Sequence, residues 1–180
     1  MKILIASDIH GSAACCRQLM DRFSAEGADR MLLLGDVLYH GPRNDLPEEY
    51  DPKSVTAMLN AIKEKVTGVR GNCDAEVDQM VLEFPILAEY MLLSYNGLTI
   101  YATHGHHYNI NAKPDVPAGT VLLYGHTHVP LNTESDGMIC LNPGSVSLPK
   151  SGSKRGYMLL TEEGFFWKTL SGETYDQRRI

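Results

Sequence analysis

Residues 30–37 read Arg30-Met31-Leu32-Leu33-Leu34-Gly35-Asp36-Val37. An apolar run bounded by a charge at one end and a glycine at the other suits a strand buried on both faces. Gly35 lets the backbone turn where a side chain would collide, and the turn delivers one carboxylate, Asp36. A lone Gly-Asp after a strand proves nothing, but the pattern recurs. Lys2-Ile-Leu-Ile-Ala-Ser-Asp8-Ile-His10-Gly11 is an apolar run ending in Asp and His, and Val66-Thr-Gly-Val-Arg-Gly71-Asn72-Cys73-Asp74 ends in Gly-Asn-Cys-Asp. Leu98-Thr-Ile-Tyr-Ala-Thr-His104-Gly105-His106 and Val121-Leu-Leu-Tyr-Gly125-His126-Thr127-His128 end in paired histidines. Five runs thus release metal-type side chains at their carboxyl ends, the edge where open α/β sheets place their ligands. They predict one site built from five loops, with Asp36 in the middle.

The connections between these runs predict the rest. Ser12 caps a helix to about Glu26, with Cys16, Leu19, Met20 and Phe23 at helical spacing and Gly27 as its stop. Asp51 and Pro52 start a second helix whose buried stripe is Val55, Met58, Leu59 and Ile62. Strand, helix and strand in succession argue for parallel pairing. Residues 39–52 hold three prolines and no periodicity. They read as a long loop leaving a site strand, a lid or substrate loop. A short helix is expected from Asp74 to Leu82. Asn96-Gly97 marks a hairpin between Glu89–Tyr95 and Leu98–Ala102. Later strands are expected at Met138–Leu141, Gly156–Leu160 and Phe165–Leu170, with a polar, frayed tail after Gly172.

Bulk properties restrict the function. The chain has 180 residues, read as one domain over 1–180, with 43% apolar and 21% charged residues. Its formal net charge is −6, which argues against extended nucleic acid or an anionic membrane as partner. No apolar stretch reaches membrane-spanning length, and the N-terminal run is too short for a signal peptide, so a cytoplasmic location is expected. Cys15, Cys16, Cys73 and Cys140 fit neither a zinc motif nor a disulfide framework. Cys15, Cys16 and Cys140 read as buried small hydrophobes.

The donor set is Asp8, His10, Asp36, Asn72, His104, His126 and His128. Oxygen and imidazole donors without thiolates suit Mn²⁺ foremost, with Zn²⁺, Fe²⁺, Co²⁺ and Ni²⁺ also matched. Seven donors exceed the need of one cation. They suit two that share a carboxylate, about 3.5–4 Å apart, and clamp the attacking and leaving oxygens of an in-line displacement. In Asp8-x-His10 and His126-x-His128, residues i and i+2 of an extended strand end share a face and can reach one ion.

As a set, Asp8-x-His10, Gly35-Asp36, Gly71-Asn72-Cys73-Asp74, Thr103-His104-Gly105 and Gly125-His126-Thr127-His128 resemble the calcineurin-like metallophosphoesterases. The chain looks closest to their small bacterial single-domain branch, the YfcE-type phosphodiesterases, which Gly41-Pro42-Arg43-Asn44 and Asn142-Pro143-Gly144-Ser145 also resemble. The resemblance covers nearly the whole chain. It implies an α/β fold, a four-layer α/β/β/α sandwich of two mixed sheets with the metals at one edge. It implies that Asp8, His10, Asp36 and His128 hold one metal and that Asp36, Asn72, His104 and His126 hold the other. It further implies a small phosphodiester substrate, attacked by a hydroxide held between the metals, with Asn72 donating to the phosphoryl group.

The wider family commonly has histidine where this chain has Cys73, and that histidine is thought to protonate the leaving oxygen. A thiol of pKa about 8.5 is a poor substitute for imidazole. The acid is therefore open among Cys73, His40, His106 and none, the last serving a leaving group of low pKa. Asp74 either orients the neighbouring residue or is structural. Arg43 and His40 are expected to bind substrate, Arg43 by forking onto a phosphate oxygen or, alternatively, by pairing with Asp45 or Glu48. Asn142–Ser145 is expected to turn near the site and orient its histidines. Trp167 reads as core or subunit contact. A phosphomonoesterase or protein phosphatase is the alternative enzyme. A scaffold such as the retromer subunit of this fold is the alternative outside enzymes, disfavoured because every ligand position carries a competent donor. A homo-oligomer is left open.

Overall fold

In the computed structural model, which describes residues 1–180, β1 (Ile3–Ala6) pairs in parallel with β2 (Arg30–Leu33), placing Ile5 opposite Leu32. β3 (Val66–Gly68) continues the parallel run beyond β2. On the other side of β1 the sheet turns antiparallel through β9 (Gly156–Thr161), β10 (Gly164–Thr169) and β11 (Thr174–Arg179). A second mixed sheet has the order β4 (Tyr90–Tyr95), β5 (Leu98–Thr103), β6 (Val121–Leu123), β8 (Met138–Asn142) and β7 (Leu131–Ser135). β5, β6 and β8 run parallel.

Alternation along these strands assigns each apolar residue to a layer. Leu4, Ala6, Met31, Leu33, Tyr157 and Leu159 face a cluster that includes Leu19, Phe23, Val55 and Leu59 of the helices α1 (Ala13–Ala25) and α2 (Pro52–Asn60). Ile3, Ile5, Leu32, Leu34, Met158 and Leu160 face inward against Ile100, Ala102, Val121, Leu123 and Leu141 of the second sheet, with Trp167 buried among them. Each such side chain contributes about 1.5–3 kcal/mol by leaving water. The outer face of the second sheet carries Tyr101, Leu122, Tyr124, Met138 and Cys140. It is covered by Ile110 and Val116 of the 104–120 loop and by Leu131, with no helix on that side. The four-layer order is thus realised with a loop as the outermost layer.

Both long helices start as their sequences predict. The Ser12 side chain accepts from the Cys15 N–H, and Asp51 accepts from Ser54 ahead of Pro52. The third helix, α3 (Glu76–Val81), is shorter than the predicted Asp74–Leu82. Two strands differ from expectation. Leu131–Ser135 forms β7, joined to β8 across Asp136-Gly137, and the tail expected to fray forms β11. Both are edge strands. Neither shows a strong apolar alternation because each is held by ladder hydrogen bonds on one side only. No helix is long and apolar enough to cross a membrane.

The end of α1 is tied across the first sheet. Glu26 Oε1 accepts from Tyr157 Oη at 2.7 Å and pairs with Lys168 Nζ at 2.6 Å, in a setting only about 15% exposed. Burial pushes the Glu26 carboxyl up, but Lys168 and Tyr157 outweigh it and hold the pKa below the usual value. Its stabilisation is therefore present above its unfolded pKa, about 4.5, and lost as pH falls through the lower folded value. Glu26→Gln is expected to cost about 1–2 kcal/mol at pH 7 in a denaturant titration, a deficit that shrinks as the pH falls below the unfolded value, about 4.5, and through the lower folded one.

Candidate metal centre

Parallel order places the carboxyl ends of β1, β2 and β3 at one edge of the first sheet, and those of β5 and β6 at the matching edge of the second. The five predicted loops meet there. Five of the donors leave their strands in the left-handed region, with φ of 57° at Asp8, 51° at His10, 54° at Asp36, 65° at His126 and 59° at His128. Such backbone is uncommon outside glycine, and Asp and His are among the side chains that adopt it more readily, so its occurrence at five donors reflects surroundings that fix it.

Two clusters face each other. Asp8, His10 and His128 form one, and Asp36, His104 and His126 the other, each with ligating atoms within 4.8 Å of one another. Asp36 Oδ2 connects them, at 3.7 Å from His10 Nε2 and 3.4 Å from His104 Nε2. Asn72 Oδ1 approaches His104 Nε2 at 3.1 Å, so the seventh predicted donor is present too.

Three rings are oriented from behind. His10 Nδ1 lies 2.8 Å from the Tyr39 carbonyl, His104 Nδ1 2.6 Å from that of Leu34 and His128 Nδ1 2.6 Å from that of Leu148. A carbonyl only accepts, so each Nδ1 carries a proton, and in the neutral ring each Nε2 presents its lone pair to the centre. His10 Nε2 then lies 3.2 Å from His128 Nε2, and His126 Nδ1 3.2 Å from His104 Nε2. Asp8 Oδ1 is buried with no hydrogen-bond partner, 3.2 Å from His128 Nε2. Converging lone pairs and an orphaned carboxylate oxygen are what bound cations would satisfy, and the donors are of the type divalent cations take.

Charge couples the same groups. Burial pushes the Asp8 carboxyl up, but His10 and His128 outweigh it and hold it well below the usual carboxylate range. Burial pulls His104 down, but Asp36 and Asp8 raise it to about 9. His126 is lowered by burial and by His104.

Residues behind the donors include several that sequence reasoning passed over. Ser7 Oγ donates to Asp8 Oδ2 at 2.6 Å, and the Ser145 and Ser147 hydroxyls donate to the Asp8 carbonyl. Asn142 Nδ2 donates to the Gly125 carbonyl, so the 142–148 turn braces both His126-x-His128 and Asp8, as expected of it. Gly125 is required by space, because a Cβ there would lie 1.9 Å from Ser7 Oγ.

The other predicted residues separate. Both carboxylate oxygens of Asp74 point to backbone, accepting from the N–H groups of Asp36, Val37 and Gly71 at 2.7–2.9 Å. Cys73 lies beside Asp36, whose Oδ1 accepts from the Cys73 N–H. Burial and the neighbouring carboxylates push its thiol to about 12. Arg43 lines a small polar cavity of about 40 Å³ with Asn44, Asn72, Cys73 and Lys150, and pairs with neither Asp45 nor Glu48; Glu48 pairs with Arg155. Lys150 had no sequence signal beyond following the Asn142–Ser145 turn. His40 does not line that cavity, and its ring packs edge-on against Tyr39 and Tyr50. His106 stands beside His104 and is pulled down to about 4 by burial.

Comparisons with known proteins identify the family. The calcineurin-like phosphoesterase superfamily domain matches residues 1–164. Phosphodiesterase YfcE of Escherichia coli K12 is 44% identical over 163 residues, covering 91% of this chain and 89% of its own length. The solved structure of E. coli YfcE, described as a phosphoesterase, superposes with a TM-score of 0.96 at 41% identity over the whole of both chains. Wild-type Vps29 of Entamoeba histolytica complexed with Zn²⁺ shares the fold at 21% identity, with a TM-score of 0.63 over 100% of this chain and 98% of its own.

Proposed function

This chain belongs to the calcineurin-like phosphoesterase superfamily, and from that premise we propose that it is a metal-dependent phosphodiesterase acting on small phosphodiesters. The observation that carries the reading is the joined donor set, two clusters of mostly buried donors connected through Asp36 Oδ2, with three of the four rings held from behind so that Nε2 faces the centre. Asp8, His10, Asp36 and His128 would hold one divalent cation, and Asp36, Asn72, His104 and His126 the other. Such cations lower the pKa of water and neutralise charge on phosphoryl oxygens. Mn²⁺ is the first candidate for the oxygen and imidazole donors, with Zn²⁺, Fe²⁺, Co²⁺ and Ni²⁺ next.

The chain's own residues do the rest. Arg43, free of any carboxylate partner, and Lys150 supply positive charge to the cavity lining, where a phosphodiester brings its negative oxygens. The Asn72 carboxamide, with its oxygen toward His104, can turn its N–H toward the phosphoryl group. Asp74 is a positioning residue, holding the Gly71–Asp74 turn against the Asp36 turn. The Cys73 thiol, pushed up to about 12 by burial and the neighbouring carboxylates, is a weak acid, which favours substrates whose leaving oxygen needs little protonation.

Residues 1–180 are read as a single domain. A cytoplasmic location is supported by four free cysteines, three of them buried. Self-association into a homo-oligomer stays part of the reading, and light scattering measures it.

The test compares bis(p-nitrophenyl) phosphate with p-nitrophenyl phosphate, using metal-stripped protein with and without added Mn²⁺. Diester cleavage that depends on metal and exceeds monoester cleavage by at least about tenfold is expected. The opposite preference would assign a phosphomonoesterase. No turnover with any divalent metal would leave the scaffold.

A further inference from the structure

The cavity at the donors is too small for more than a phosphoryl group, so the ester arms of a substrate must lie elsewhere. A groove of about 540 Å³ begins where that cavity ends. Cys73 lines both. From there the groove runs between α2 and α3, over Leu38, Tyr39 and Tyr50 on one side and Val77 and Val81 on the other. Its volume and apolar lining are those of a small-molecule site. Val77 is 60% exposed and Val81 46%, although a helix this short could have turned such residues to the core. Lys53 and Asp78 are the only charged residues in the lining, one of each sign, so nothing there draws a second anion. Tyr39 and Tyr50 offer ring surface to a flat guest.

We propose that this groove binds one arm of the diester, and that the arm is uncharged, apolar and flat, an aryl ring rather than a glycerol or a sugar. The proposal rests on the phosphodiesterase reading and deepens it by naming the substrate class. Specificity then resides in α2 and α3, away from the metal donors. Residue 73 is the hinge between the two regions because it touches both the phosphoryl cavity and the arm.

The test is calorimetric titration of the Mn²⁺-loaded full chain with phenylphosphonate and with methylphosphonate, which share a charged head and differ only in the arm. Phenylphosphonate is expected to bind at least about tenfold tighter, the order of gain from burying one aromatic ring in a preformed site. Val77→Asn on one wall and Thr56→Trp, which fills the groove from α2, are each expected to remove that preference while leaving methylphosphonate binding unchanged. Two variants on different helices guard against the failure of either to fold. Equal binding of the two phosphonates by the wild type, with bis(p-nitrophenyl) phosphate still cleaved, overturns the groove and spares the phosphodiesterase. Binding of neither, with no diester cleavage, overturns both. If Val77→Asn turns an oligomer into monomers and keeps the phenyl preference, the groove belongs to a second copy of the chain and the proposal fails.

Discussion

Asp36→Asn is expected to lower diester hydrolysis by at least about 10³-fold, or about 4 kcal/mol of transition-state stabilisation. Asparagine is chosen because position 36 sits at φ 54°, where alanine is strained and asparagine is tolerated. The variant keeps an oxygen for the Cys73 N–H but replaces the connecting Oδ2 by an NH2, so the charge and the shared donor atom go together. That charge is the one shared by both clusters, so its loss weakens two cation sites at once. Losing Asn72 or His126 would weaken one. Stability of the metal-free protein should change little. Asp36 and Asp8 are buried neighbours that repel, and removing one relieves the repulsion while it weakens the hold on His104. The discriminating readout is the thermal shift on adding Mn²⁺. A ligand at a hundred times its Kd stabilises by about 2.7 kcal/mol, a gain the wild type should show and the variant should lose. Near-normal turnover in Asp36→Asn, with the Mn²⁺ shift intact, would remove Asp36 from the centre of the site.

The donors were legible because their chemistry is carried by side-chain type and their position by apolar runs. Asp8, Asp36 and His104 each follow three or more buried residues, and burial on both faces leaves little choice but a central parallel strand. What escaped reading depends on partners distant in sequence. Nothing local marks Asp8, His10, Asp36, His126 or His128 for left-handed backbone, since that strain is imposed by the neighbouring strand ends. Lys150 reaches the cavity only because the Asn142 turn folds back on β6. His40, read in the loop that leaves β2, packs against Tyr39 and Tyr50 and does not line the small cavity, a placement set by ring contacts that no local pattern announces. β7 and β11 were hidden because edge strands need no apolar alternation, and Leu131-Asn-Thr-Glu-Ser and Thr174-Tyr-Asp-Gln-Arg-Arg show little. Tyr175 packs against the inter-sheet core and helps anchor the tail.

The Gly71 position tests the support of the site rather than its donors. Gly71 has no positive φ, so it is not required for backbone freedom. It is required by distance. A Cβ there would lie 2.1 Å from Asp36 Oδ1 and 2.3 Å from the Asp36 backbone nitrogen; the second is backbone, and the first is the end of a buried carboxylate held by the Cys73 N–H. The two turns are also clamped together, because Asp74 accepts from the N–H groups of Gly71, Asp36 and Val37. Gly71→Ala must therefore either push the Asp36 carboxylate off the centre or drive the 71–74 turn back, taking Asn72 with it. An ångström of displacement at such a centre costs about 10²-fold, and overpacking costs about 1–3 kcal/mol of stability. Both losses are expected in Gly71→Ala, read as kcat and as denaturation midpoint. Gly27→Ala is the control. It has φ 61° with nothing within 4 Å of its Cβ, so it should lose about 1 kcal/mol and no activity. Equal activities for the two variants would mean that the Gly71–Asp74 turn does not hold Asp36. Activity lost only in Gly71→Ala would locate the site's rigidity in the contact between these two turns, with Asp74 as its clasp.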